Sequence, residues 1–187
     1  MGLRSAEPRP LGHLRAPARM TSPMVPDRRI DVLAVDEARS RELAALVNRA
    51  FVIEAHFVEG DRITASEIAR LASQPSAAFL AVFEGQTLAG CVLADARDGD
   101  RGYIGLLAVE PARAGQGLGR ELMTQAEAYL RRHGCRTVYM TVVDQRTELF
   151  PIYERRGYRR DGTTLPFPRE TKVPCVLVVL SKQLEPN

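Results

Sequence analysis

No stretch of this chain approaches the run of about 18 apolar residues that a membrane-crossing helix requires. The longest candidate, residues 173–180, is strand-length and carries Pro174, so no membrane partner is expected. Cysteine is scarce. Cys91, Cys135 and Cys175 are odd in number, far apart and without a CxxC pair, which argues against a disulfide framework and against a zinc site. Each lies in or beside an apolar strand-like segment, so all three read as small buried thiols in a reducing cytoplasm, and no metal is expected. Lysine is scarcer still: Lys172 and Lys182 stand against 24 arginines. Arginine and alanine recur along the whole chain, which reads as compositional bias and not as a binding patch.

Charge is nearly absent from the body of the protein. The first 29 residues hold six arginines against Glu7 and Asp27, a balance of +4, and the whole chain has +3, so residues 30–187 come to −1. A near-neutral body removes the electrostatic basis for a nucleic-acid partner. Apolar residues at 45% and charged residues at 26% are globular values, enough for one domain with a sizeable core. Residues 1–29 are the exception. They are rich in proline and arginine, lack apolar periodicity and read as a disordered extension. Five prolines oppose the amphipathic helix of an organellar leader, and Met20 and Met24 leave the true start open. Residues 30–187 form the folded domain.

That domain alternates between two hydrophobic periods. Residues 30–35 read as a strand and 37–51 as a helix, with Leu43, Leu46, Val47, Ala50 and Phe51 at helical spacing. Thr64-Ala-Ser-Glu67 is a capping-box pattern that opens a second helix, ended by Gln74-Pro75. Segments 77–83, 87–94 and 102–109 read as three strands with short links, hence an antiparallel meander. A helix over about 118–132, with Leu118, Leu122, Ala126 and Leu130 in one stripe, leads to a strand at 136–143. Strand, helix, strand makes these two strands parallel neighbours. A short helix at about 148–156 and a strand near 175–181 complete the chain. The expected architecture is one α/β (α+β) domain, a mixed and mostly antiparallel sheet of about six or seven strands with helices on both faces.

The segment Glu110-Pro-Ala-Arg-Ala-Gly-Gln-Gly-Leu-Gly-Arg-Glu-Leu122 places Gly115, Gly117 and Gly119 between strand and helix. A glycine turn at a helix N-terminus suits phosphate, because it offers unpaired N–H groups, a partial positive charge and close approach. The P-loop pattern fails, since Arg120 and Glu121 follow Gly119, and the dinucleotide pattern fails because Arg120 stands where its third glycine belongs. Residues 106–130 instead resemble the acetyl-CoA-binding motif of the GNAT superfamily of N-acetyltransferases: a strand ending in Val-x-Pro, then [Q/R]-x-x-G-x-[G/A], then a helix. The order of elements agrees from residue 30 to the last strand. One position departs. Ala114 stands where the motif has Gln or Arg, and Arg113 beside it is offset by one. The resemblance implies that Leu107, Ala108 and Val109 pair with the pantetheine arm of acetyl-CoA. It implies that amides from Ala114 through Gly115, Gln116, Gly117, Leu118 and Gly119 to Arg120 hold the pyrophosphate. Valine at position 117 is then expected to obstruct the phosphates while leaving the fold intact.

Leu149-Phe-Pro-Ile-Tyr-Glu-Arg-Arg-Gly-Tyr158 resembles the second GNAT signature, Tyr-x-x-x-Gly-[Phe/Tyr], at Tyr153, Gly157 and Tyr158. The resemblance makes Tyr153 the general acid for the departing thiolate, which suits a phenol protonated at neutral pH. Arg146 stands where the family often has Asn, and as a bidentate partner it is a candidate for a CoA phosphate. No carboxylate lies on residues 102–109, where many members place the base. Glu110 is the nearest candidate. Glu54, Glu59 and Asp61, between the first two helices, are candidates for amine binding or proton relay, ahead of His56 and His133. The expected activity is acetyl transfer from acetyl-CoA to a primary amine in a ternary complex, a small molecule before a protein N-terminus or lysine. A non-catalytic CoA-binding module is the competing class. A homodimer is compatible with the resemblance, although no residue specifies one.

Overall fold

The computed structural model describes residues 28–185. The disorder and the leader considered for residues 1–29 therefore fall outside the described residues, except at Arg28 and Arg29, which already belong to the first strand. In chain order the elements are β1 (Arg28–Val32), α1 (Glu37–Ala50), α2 (Ala65–Ala72), β2 (Ala77–Glu84), β3 (Thr87–Asp98), β4 (Arg101–Val109), α3 (Leu118–Arg132), β5 (Thr137–Val143), α4 (Phe150–Glu154), β6 (Arg159–Pro166) and β7 (Val176–Gln183). The seven strands form one sheet in the order β1-β2-β3-β4-β5-β7-β6. All neighbours are antiparallel except β4 and β5.

Strand alternation sorts the core into two layers. Leu80 and Val82 of β2 join Leu118, Leu122, Ala126 and Leu130 of α3 on one face. Phe79 and Ala81 join Leu43, Leu46, Val47 and Ile68 from α1 and α2 on the other. Helix α2 carries the reciprocal capping box expected at Thr64 and Glu67. Of the cysteines, Cys91 and Cys135 are buried and Cys175 is half-buried, all three free. Burial pushes the Cys91 thiol up to about 12, far from reactivity at neutral pH.

Three boundaries differ from the sequence-based expectation. The first strand begins at Arg28 and ends at Val32, because it is pairing with Glu84 through Leu80 of β2 that defines it. Helix α4 is only five residues, preceded by a 3-10 turn at Thr147–Leu149, and Pro151 sits in its first turn, where a missing N–H costs nothing. Strand β6 was not anticipated at all. Every one of its residues is exposed, so no apolar alternation marks it, and only its ladder with β7 makes it a strand.

Candidate active site

The site is built by a break between β4 and β5. Their parallel pairing runs only through Arg101↔Thr137, Gly102↔Val138 and Tyr103↔Tyr139. Beyond Tyr103 the two strands part, and β5 continues paired to β7 alone. A bulge drives β4 away. Cys91 pairs with Ala108 and Leu93 with Gly105, so Leu106 and Leu107 oppose the single residue Val92. Leu106 takes a left-handed φ of 49° there, the only such non-glycine residue among those described. The exposed edge of β4 has a definite polarity. Glu110 gives its N–H to Ala89 on the β3 side, and since successive N–H groups alternate along a strand, the Val109 N–H points into the gap.

This gap is part of a cavity of about 1100 Å³, lined by β4, the glycine turn, α3, β5 and α4. That is roughly the upper bound of ordinary small-molecule sites, enough for an extended ligand beside a second, smaller one. At one end lies the glycine turn. Gly115 and Gly117 have φ of 78° and 86°, and Gly117 is the N-cap of α3 with no side-chain cap bond. The helix begins with Glu121 N–H to the Gly117 carbonyl at 3.1 Å. The earlier amides, at Leu118, Gly119 and Arg120, are therefore the orphan donors of a 15-residue helix. They line the cavity together with Ala114, Gly115 and Gly117. The donor set, the helix polarity and the bare backbone all fit a pyrophosphate.

Two expected contacts in this stretch are not brought into the cavity. Ala108 is buried in the α1–α2 core layer. Gln116 turns outward, and its Oε1 and carbonyl accept from Arg28 at 3.0 and 3.4 Å. Arg113 does not replace the missing side chain at position 114 freely, since its guanidinium lies 2.8 Å from Glu84, which also binds Arg28 at 3.1 Å. These bonds tie the glycine turn to the β1–β2 edge.

Tyr153, on α4, forms a wall of the middle of the cavity. Its hydroxyl takes no hydrogen-bond partner among the described residues, and burial raises its pKa above the usual phenol value, against the lowering effects of Arg146 and Arg156. The ring meets Tyr158 edge-on at 6.2 Å. Tyr158 itself is fully buried and donates to Glu127 at 3.0 Å. Glu127 also accepts from Lys182 at 2.7 Å and pairs with Arg156 at 3.5 Å. Burial, with the Glu127 charge beside it, drives the Tyr158 hydroxyl strongly upward, so it stays protonated. One carboxylate thus joins α3, the end of α4 and β7. Glu127→Ala leaves a hydroxyl and two cations without it. Removing one partner of a fully buried pair costs about 3–5 kcal/mol. Lys182 and Arg156 retain some exposure, so about 2–3 kcal/mol is expected. That corresponds to a melting temperature lower by about 5–10 °C. A drop below about 2 °C in thermal denaturation would contradict this reading of the network.

The far end of the cavity carries Glu54, on a 3-10 turn at Val52–His56 that follows α1. Glu54 is 5% exposed, yet three ionisable groups converge there. Arg146 Nη1 reaches its Oε1 at 3.4 Å and Arg62 Nε lies 3.4 Å from its Oε2. Desolvation outweighs both arginines and raises the Glu54 pKa. Arg146 is bonded at 2.6 Å to Glu148 as well, so it is committed to carboxylates at this end and is not at the glycine turn. The remaining candidates lie off the cavity. Glu110 pairs with Arg49 at 2.8 Å, exposed Glu59 with Lys172 at 3.3 Å, and Asp61 and His56 are exposed. His133 caps the end of α3, its ring stacked on Tyr129 at 4.1 Å. Arg62 was missed by sequence reasoning: one arginine among 24 in a polar loop gives no signal.

The sequence of residues 40–158 matches the acetyltransferase (GNAT) family. The chain belongs to that family. It is similar to a mycothiol acetyltransferase of Geodermatophilus obscurus, 35% identical over 68 residues, which covers 36% of this chain and only 22% of that relative's length. Two solved structures share the fold. One is the ribosomal-protein-S18-alanine N-acetyltransferase from Escherichia coli, with a TM-score of 0.68 at 15% identity, covering 86% of this chain and 96% of that one. The other is an aminoglycoside 6′-N-acetyltransferase complexed with coenzyme A, with a TM-score of 0.69 at 18% identity, covering 85% and 98%. Among the described residues of this family member, no helix is long and apolar enough to cross a membrane.

Proposed function

We propose that this GNAT chain is an N-acetyltransferase that passes an acetyl group from acetyl-CoA directly to the primary amine of a small molecule. The observation that carries this reading is the gap between β4 and β5. One cavity reaches from orphan helix amides at the glycine turn, past Tyr153, to buried Glu54. Bound acetyl-CoA supplies an acyl carbon already activated as a thioester. The protein's part is placement and proton handling. Amides of Leu118, Gly119 and Arg120 receive the phosphates. The Val109 N–H, aimed into the gap, polarises the thioester carbonyl. Glu54 takes the proton that the attacking amine must lose, directly or through water, and its raised pKa makes it a better acceptor than an ordinary carboxylate. Tyr153 holds the proton that the departing thiolate needs. The turn that carries Glu54 is itself pinned down: Val58 bridges to Thr171, and the Lys172 N–H binds the Phe57 carbonyl at 2.9 Å. A carboxylate buried inside the cavity, with Glu54 5% exposed, suits a small acceptor that can enter better than the surface of a folded protein.

Thermal melts with CoA and with acetyl-CoA, followed by an amine panel read by free-thiol release, test this function. Ligand at about 100 times its Kd adds about 2.7 kcal/mol, a rise of several degrees, and thiol release should depend on the amine. No melting shift would sink the CoA site, and a shift with no turnover on any amine would leave a non-catalytic binding module. Glu54→Gln should keep the melting shift, lower kcat/KM and remove the acid limb of the pH profile. In the wild type that limb should lie above the ordinary carboxylate range. Activity needs ionised Glu54 and falls as pH drops through its raised pKa.

A further inference from the structure

The last rung of the β4–β5 ladder is Tyr103↔Tyr139, and the gap opens just beyond it. Strand alternation then fixes what flanks the opening. Tyr103 and Gly105 of β4 face the α1–α2 layer: Tyr103 packs against that core cluster, and Gly105 pairs with Leu93, which is buried in it. On β5, Thr141 shares the face of Val143, which packs with Phe57 and Val58 beside the turn that carries Glu54. Tyr153 packs against the opposite layer. The gap therefore has a thiolate side and an amine side, and Tyr103 and Thr141 stand on the second. Both line the cavity and both are partly exposed.

The Tyr103 ring lies flat along its strand. A Cβ built at Gly105 would come within 2.6 Å of the Tyr103 hydroxyl oxygen and Cε1, so the missing side chain there is what leaves the ring its place. Tyr139, with ring centroids 5.1 Å apart, and the Arg97 guanidinium at 5.9 Å keep it there. The phenol oxygen is thereby carried past the last rung to the level of Gly105, two residues into the gap. Thr141 is likewise two residues beyond that rung, on the facing strand. Neither hydroxyl takes a hydrogen-bond partner among the described residues, and neither oxygen is sealed off. Glu54 is already engaged by Arg62 and Arg146, so these hydroxyls are the groups open to a ligand. A neutral primary amine has two N–H bonds and one lone pair. Two hydroxyl oxygens, one on each side of the gap, can accept both N–H groups, which leaves the lone pair directed at the acyl carbon between the strands. We infer that the Tyr103 and Thr141 hydroxyls form a clamp that orients the attacking nitrogen and selects primary over secondary amines. The transfer balances from the neutral amine. The nitrogen bonds to the acyl carbon and the carbon–sulfur bond breaks. One N–H proton leaves for Glu54 by way of water, the other stays in the amide, and Tyr153 protonates the sulfur, while both clamp hydroxyls keep their protons. This inference rests on the acetyl-transfer reading and gives the reacting nitrogen its contacts.

The test compares a primary amine that supports turnover with its N-methyl derivative, on the full chain. Kinetics are read by thiol release, CoA binding by calorimetry and stability by thermal melts. The wild type should prefer the primary amine. Tyr103→Phe and Thr141→Val should each lower kcat/KM for that amine about 2- to 10-fold, the worth of one neutral hydrogen bond. The N-methyl compound has a single N–H, which the remaining hydroxyl still serves, so it should lose less and the preference should shrink by a similar factor. CoA affinity and melting temperature should hold, because neither hydroxyl has a partner to lose. The acid limb assigned to Glu54 should stay in place in both variants. Gly105→Ala, whose Cβ must displace the ring, should cost at least as much as Tyr103→Phe. Unchanged kcat/KM in these variants, or a loss that spares the ratio of primary to N-methyl amine, would overturn the clamp while leaving the acetyltransferase intact. So would a loss that follows CoA affinity or melting temperature. A wild type that turns over no amine would strike the proposed function itself, and the clamp with it.

Discussion

Tyr153→Phe is expected to lower kcat about 100-fold at neutral pH, with melting temperature and CoA affinity close to wild type. The magnitude is the lower part of the range for a positioned general acid. It is not larger because a thiol of pKa about 8.5 is already a fair leaving group. The stability should hold because only a hydroxyl is removed. That hydroxyl has no partner among the described residues, and the ring keeps its edge-on contact with Tyr158. The pH dependence is the sharper signature. Burial raises the Tyr153 pKa, so the wild-type acid stays loaded well into the alkaline range. The variant must release thiolate unaided, so its deficit should persist through the thiol range and shrink only at the more alkaline pH where wild-type Tyr153 loses its proton. Unchanged kcat with an unchanged pH profile would remove Tyr153 from the chemistry.

Gly117→Val should cost CoA affinity by about 100-fold or more and should also lower stability. The second effect corrects the expectation of an intact fold. Space is not the difficulty: a Cβ at Gly117 would meet only side-chain ends, Arg120 Nη2 and Glu121 Oε1, both at 3.9 Å. Conformation is. At φ 86° and ψ −5° the residue is left-handed, which costs an ordinary side chain about 1–2 kcal/mol and a β-branched one more. Relief of that strain would turn the first amides of α3 away from the phosphates. Each charge-assisted bond lost costs about 1.5–3 kcal/mol, which sets the affinity loss. Gly119→Ala is the control. Gly119 is helical and its Cβ would sit 3.8 Å from Val109 Cγ2, an ordinary contact, so melting temperature should hold or rise by the alanine preference for helix, about 0.5–1 kcal/mol. Titration calorimetry and thermal melts on both variants decide the matter. A Gly117→Val protein that binds CoA normally would show that the turn does not hold phosphate.

Sequence by itself determined a good part of this protein. Hydrophobic period located α1, α3 and most strands, because each buries a regular face against the sheet, and the capping box at Thr64 and Glu67 located α2. The antiparallel meander and the parallel β4–β5 pair followed from linker length. Gly115, Gly117 and Tyr153 were marked by motif spacing, which is local in the chain. Even there the turn's details needed three dimensions: Gln116 faces Arg28, and Ala108 faces the core. What only the tertiary structure decided is long-range. The exposed edge strand β6 carries no pattern of its own and exists through β7. The bulge at Leu106 that opens the gap depends on register with β3. Glu127 becomes buried charge only when Tyr158, Lys182 and Arg156 converge on it from 29 to 55 residues away along the chain. Glu54 and Arg146 meet across 92 residues, and one polar-loop arginine, Arg62, completes the cluster at the other oxygen of Glu54. Local pattern encodes faces and turns. The polar centre of the site is set by which distant loops the sheet brings together.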